Sequence, residues 1–128
     1  MTNLHLITSK QLQLRLAEKI QVLYEQQLNH QLSQVTCKIF NNTIVLVMEG
    51  VTTRPEQVLT EFDRKELAQE MRTVLDRTIL PKIQKIIEEM MPVNVVDFLC
   101  DTTLETGRAG IIAIFEFHTE ANPRIELA

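Results

Sequence analysis

Tryptophan is absent, and the aromatic residues amount to one Tyr and five Phe. A core built from this chain must rest on Leu, Ile, Val and Met. Glycine is scarce too. Gly50, Gly107 and Gly110 are too few and too scattered for a loop that cradles phosphate. The two cysteines, Cys37 and Cys100, stand in no C-x-x-C or Cys/His cluster, so neither zinc nor a dithiol motif is signalled. No apolar run approaches the roughly 20 residues that span a bilayer. The longest, Thr43 to Met48 and Ile111 to Phe115, are strand-sized, and direct membrane insertion is not expected. An excess of basic charge is missing as well. The formal charge of −4 disfavours nucleic acid and an electrostatic dock on anionic lipid. The start "MTNLHLITSK" lacks the basic, apolar and small-residue succession of a signal peptide, so a soluble cytoplasmic protein is expected.

What is present is an ordinary globular balance: 45% apolar and 23% charged residues over 128 positions. That length predicts one domain, with a core over about 10–117 and a loose tail over 118–128 around Pro123. Thr8 and Gln11 predict a capping box, followed by a helix whose stripe is Leu12, Leu16, Ile20, Leu23 and Leu28. Leu14 and Val22 fall off that stripe. "VTCKIF" and "TIVLVM" flank Asn41-Asn42, which predicts a two-residue hairpin. Its register sets Ile39 against Ile44, Cys37 against Leu46, and Val35 against Met48 on one face. The other face pairs Lys38 with Val45 and Thr36 with Val47, and is apolar enough to invite a cover. A second copy of the chain is the economical one.

A second capping box, Thr53 and Glu56 with Pro55 between, predicts a short helix to about Phe62. Asp63 is expected to cap a longer helix. Leu67, Met71, Val74, Leu75, Ile83, Ile86, Ile87 and Met90 mark its apolar side; Arg72, Asp76 and other charges fall on the solvated side. Pro81 is expected to kink or divide it. "VNVVDFLCD" and "AGIIAIFEF" complete the pattern, joined by "TTLETGR". Strands are thus expected near 35–40, 43–49, 94–101 and 109–117. The order helix-strand-strand-helix-strand-strand predicts an α+β fold: a four-stranded, mostly antiparallel sheet with helices on one face. Strand order within it is not readable.

No catalytic constellation is visible. His5, His30 and His118 are far apart, so no metal is called for, and no cofactor is signalled. Ser9 and Ser33 lie at helix ends, outside any G-x-S-x-G context. Glu88-Glu89 reads as a solvated helix end. Cys37 alternates in phase with Val35 and Ile39, which places it in the core. The corner Glu49-Gly50 is the most distinctive feature. Glu49 suits a chain reversal, where it could accept hydrogen bonds from the helix start at Thr53 to Glu56, or pair with Arg54. Gly50 suits a backbone angle that other residues resist.

The run "TIVLVMEGVTTRPEQVL", residues 43 to 59, resembles the strand-and-corner signature of the MpsC-like family: an apolar strand, Glu-Gly-Val, then a Thr- or Pro-containing helix start. The similarity continues through Arg64, Leu67 to Leu75, Ile83, and Ile86-Ile87-Glu88. It ends in "VVDFLCDTTLETGRAGIIAIFEF", so that about residues 10 to 117 are covered. The chain departs from the family at Met91-Pro92 and near Asp63-Arg64, where a Gly is common. The resemblance implies a small soluble component associated with a sodium-translocating, membrane-potential-generating system, and no catalytic residues to carry over. It implies a non-enzymatic accessory or docking protein for an ion- or inorganic-carbon-handling membrane complex. A homodimer using Val45 and Val47, with Leu14 and Val22, is expected. The alternative is a small ligand- or redox-responsive regulator using a sheet/helix pocket or the thiols of Cys37 and Cys100.

Overall fold

The computed structural model describes residues 7–118 and 125–126. Among them lie β1 (Ile7–Thr8), α1 (Ser9–Leu28), β2 (Gln34–Phe40), β3 (Thr43–Glu49), α2 (Arg54–Glu61), α3 (Lys65–Met90), β4 (Val93–Thr103), β5 (Arg108–Phe117) and β6 (Ile125–Glu126). The class is α+β, and the sheet of β2 to β5 is antiparallel throughout, in the order β2-β3-β5-β4. His5 and most of the expected tail lie outside the described residues. Within that tail, β6 pairs in parallel with β1.

Local chemistry accounts for most element boundaries. Thr8 Oγ1 accepts the Gln11 N–H, and the Gln11 side chain accepts the Thr8 N–H, which closes the first capping box. At the hairpin, Asn41 takes φ 52°, and the pairs Ile39–Ile44, Cys37–Leu46 and Val35–Met48 form as the alternation predicts. Ile44, Leu46 and Met48 face Ala113, Ile111 and Ala109 of β5. All six are buried, and Leu12, Leu16 and Ile20 of α1 join them in the same core. The helices lie against this face, so the other face of the sheet has no cover among the described residues.

Three expectations for the helical half are corrected. Asp63 does not cap α3. It takes φ 59°, its N–H reaches Thr60 O at 3.1 Å, and the Arg64 N–H reaches Leu59 O at 2.7 Å. That bonding ends α2 in a left-handed turn which Asp tolerates, so the side chain is unavailable to the next helix. Pro81 does not divide α3, which runs unbroken from Lys65 to Met90. Proline removes one backbone bond there, but Ile79, Ile83 and Ile87 on either side are wholly buried, and this packing holds the helix together. The apolar side of α3 is also rotated in its first half. Ala68 and Arg72 point inward, while Leu67 and Val74 are exposed.

β4 and β5 extend beyond the expected bounds, and Val96 is an unpaired residue between Val95 and Asp97. This bulge switches the faces of β4. Val93 and Val95 point into the core before it, Phe98 and Cys100 after it. Asp97, Leu99 and Asp101 therefore emerge together on the uncovered face.

Candidate functional site

The chain reversal after β3 is closely packed. Gly50 takes φ 76°, and a Cβ built there would sit 2.3 Å from Ser33 Oγ. Both the left-handed backbone and the close approach require glycine. The Ser33 N–H donates to Glu49 O at 2.8 Å, the His30 ring nitrogen Nε2 contacts Gly50 O, and the Val51 N–H donates to Gly107 O at 2.9 Å. Gly50→Ala should cost about 1–3 kcal/mol, the usual strain of a side chain in that region. Gly110, whose added Cβ would meet nothing closer than Leu46 O at 4.0 Å, is the control. Gly110→Ala at dilute concentration should stay within about 0.5 kcal/mol. Equal urea midpoints for the two variants would refute the steric account.

Beyond the corner, Thr53 starts α2 and the Glu56 carboxylate turns back on it. Glu56 Oε1 accepts the Thr53 N–H at 2.8 Å and the Thr53 hydroxyl at 2.9 Å. Arg72, reaching in from α3, donates from Nε to Glu56 Oε2 at 2.9 Å and from Nη2 to Oε1 at 2.7 Å. The same Nη2 donates to Val51 O at 3.1 Å, and Nη1 meets Asp76 Oδ1 at 3.4 Å. Glu56 is fully buried and Arg72 is 2% exposed. This is a two-pronged, buried ion pair, with further bonds to the backbone at Val51 and Thr53 and to the side chains of Thr53 and Asp76. It ties α2, α3 and the corner into one unit.

The electrostatics follow from that geometry. Burial works to raise the Glu56 carboxyl, but bonds from Arg72 and Thr53 outweigh it and hold the group below the ordinary carboxylate value. Burial likewise opposes charge on Arg72, and the facing carboxylates keep it protonated. Asp76 is raised, first by burial and then by Glu56, against the pull of Arg72. Burial pushes the Tyr24 hydroxyl up to about 12, although Arg72 beside it works the other way. Glu56 stays ionised and Tyr24 stays protonated near neutrality. The cluster is an architectural clamp, with both oxygens of Glu56 already occupied.

The expected corner residues divide. Glu49 does not turn toward α2: it meets Arg108 across β3 and β5, at 3.3 Å and near solvent. Arg54 pairs with Glu61 instead, also exposed. A surface pair of either kind contributes little stability. Sequence reasoning missed Arg72 by assigning it to the solvated side of α3. A signal did exist: counting back in helical steps from Ile87, Ile83 and Ile79 reaches Arg72 and then Ala68.

The two cysteines occupy one cross-strand row: Cys37, Leu46, Ile111, Cys100. Three strand spacings separate them, about 14 Å. A disulfide needs Cα atoms within about 7 Å, so one chain cannot join them without unfolding. Burial pushes Cys37 up to about 12, and burial with Asp76 and Asp101 nearby pushes Cys100 up to about 11. Both thiols should react slowly with a thiol reagent in the native protein. Rapid labelling of both, or a disulfide within freshly isolated chains, would contradict this.

Of the four residues expected at a dimer face, Val45 and Val47 lie on the uncovered side of the sheet. Leu14 and Val22 are exposed on α1, in the helical layer behind the opposite sheet face. The fold therefore separates the two pairs. A second apolar surface was not foreseen: a groove of about 710 Å³ between α2 and α3, lined by Pro55, Val58, Leu59, Leu67, Met71 and Val74. It exists because α3 turns Ala68 and Arg72 inward, which leaves Leu67 and Val74 outside.

Among the described residues no three His, Cys, Asp or Glu side chains gather as metal ligands, and no helix is long and apolar enough to cross a membrane. Neither a curated protein nor a solved structure matches the chain. A family does match, over residues 8–117: the one described as Na+-translocating membrane potential-generating system (MpsC). That span runs from the cap of α1 to the end of β5, and so includes the corner, the clamp and the whole sheet. The chain belongs to the MpsC family.

Proposed function

We propose that the protein is a non-enzymatic, cytoplasmic accessory subunit. It supports an ion- or inorganic-carbon-handling membrane complex through protein–protein contacts, and works as a homodimer. The observation that carries this reading is the ordered exposure of large apolar side chains. Val47, Ile112 and Leu99 stand on the uncovered sheet face, and Leu67 and Val74 border the α2–α3 groove. Organised apolar surface of this kind is characteristic of interaction sites. Membership of a family named for a sodium-translocating system supplies the functional setting.

The test is a deletion strain, with sodium-dependent membrane potential read by a potentiometric dye. The potential should fall, and the wild-type chain should restore it. Leu67→Lys with Val74→Lys should fold, since both positions are exposed, yet fail to restore it. An unchanged potential on deletion would remove the proposed role.

A further inference from the structure

The uncovered sheet face is laid out in rows. Successive rows, read across β2, β3, β5 and β4, are Phe40-Thr43-Ile114-Asp97, then Lys38-Val45-Ile112-Leu99, then Thr36-Val47-Gly110-Asp101. A fourth is Gln34-Glu49-Arg108-Thr103. The charges are not scattered. The β4 edge carries Asp97 and Asp101 on either side of Leu99, and the β2 edge carries Lys38 in the row of Leu99. On the two inner strands, at the end of the face beside the corner, Glu49 sits on β3 and Arg108 on β5. Gly110 leaves a hollow, since a Cβ there would meet only Leu46 O, at 4.0 Å. Its neighbour across the strands is the knob of Val47.

We infer that this face binds a second copy of the chain, about a two-fold axis that runs parallel to the strands between β3 and β5. The inference rests on the homodimer in the proposed function, and not on the membrane role. Such an axis exchanges the β2 and β4 edges while keeping every row opposite itself. Lys38 then lies over the partner's Leu99, between the partner's Asp97 and Asp101. Glu49 lies over the partner's Arg108. Val47 enters the hollow above the partner's Gly110, and Val45 meets the partner's Ile112. The apolar centre is closed, and Lys38, Asp97, Asp101, Glu49 and Arg108 each find an opposite charge; Glu116, paired with Asn94, stands beyond these rows at the hairpin end of the face. Sheets packed face to face at about 10 Å place such side chains in contact. The other in-plane axis, across the strands, sets each edge against its own copy. With that axis through the row of Lys38, Lys38 would face Lys38 and Asp97 would face Asp101, an arrangement that like-charge repulsion disfavours; at any other position Lys38 has no acidic partner, because its own edge strand carries none. The pattern of charge thus selects one of the two isologous solutions.

Sedimentation velocity with charge-reversed chains tests this. Wild type should dimerise at roughly tens of micromolar, the range in which a standard-sized interface is populated. Lys38→Asp alone, and Asp97→Lys with Asp101→Lys on another chain, should each weaken dimerisation more than about tenfold. Both should keep wild-type circular dichroism, because all three positions are exposed. An equimolar mixture of the two variant chains should recover the dimer, since each chain supplies the charge the other now needs. Loss in both variants with recovery in the mixture supports the stated axis. A dimer indifferent to either reversal, or a mixture that stays monomeric, overturns the axis. A strictly monomeric wild type overturns the homodimer itself. None of these outcomes alters the result of the deletion experiment, so the two readings fail separately.

Discussion

Replacing Arg72 by alanine should lower the unfolding free energy by about 3–5 kcal/mol, the loss typical when one partner of a buried ion pair is removed. The reason lies in what remains. Glu56 would stay fully buried with its charge but without the two guanidinium bonds at 2.7 and 2.9 Å. Val51 O would lose its bond from Nη2 as well, so the corner would loosen with the helix. The Glu56→Ala, Arg72→Ala double variant should cost clearly less than the sum of the two single changes, because neither charge is then left alone. The pH dependence has a definite sign. The Glu56 carboxyl lies below its ordinary value in the folded state. Its contribution is therefore present above the unfolded-state value and is lost as the pH falls through the folded value. Asp76 acts in the opposite sense. Its folded value is raised, so its ionisation opposes folding as the pH climbs from the unfolded to the folded value. Arg72→Ala should flatten the acid limb that Glu56 provides. Urea titrations across the acid range would measure both effects. A cost below about 1 kcal/mol would place Arg72 among ordinary surface residues and refute the clamp.

The second large effect is expected at Leu46. Its side chain is fully buried on β3, an interior strand, with Cys37 and Ile111 beside it in the same row. Leu46→Ala should cost about 2–5 kcal/mol, because the transfer free energy is lost and the surrounding sheet and helix cannot collapse into the gap. Ile44, two residues away and equally buried, should behave in the same way. A denaturation midpoint unchanged by Leu46→Ala would mean that the core lies on the other face of the hairpin. The exposed surface identified for docking would then be misassigned too.

The two sites differ in how visible they are in the sequence. Leu46 follows from alternation alone, since a strand with one buried face repeats every two residues and a two-residue turn sets the register. Glu56 is half visible: its reach back to Thr53 is a local capping interaction. Its partner Arg72 is 16 residues away on another helix, and no local rule connects the two. The family signature was legible because the corner it describes is short and built from neighbours in the chain.

The family was recognisable from the sequence, which by itself also determined the hairpin and its register, both capping boxes and the inward face of β3. Each depends on contacts between residues a few positions apart, whose geometry the backbone dictates. Tertiary structure alone decided the strand order β2-β3-β5-β4, the bulge at Val96 and the continuity of α3 through Pro81. It also decided the partner of Arg72, the pairing of Glu49 with Arg108 and not Arg54, and the distance between the two cysteines. These depend on which distant surfaces meet when the whole core closes. Burial of Ile79, Ile83 and Ile87 outweighs the helix-breaking preference of Pro81, and a paired, buried Glu56 outweighs the solvation preference of Arg72. Such competitions are settled by long-range packing free energy, which a residue's neighbours in sequence do not carry.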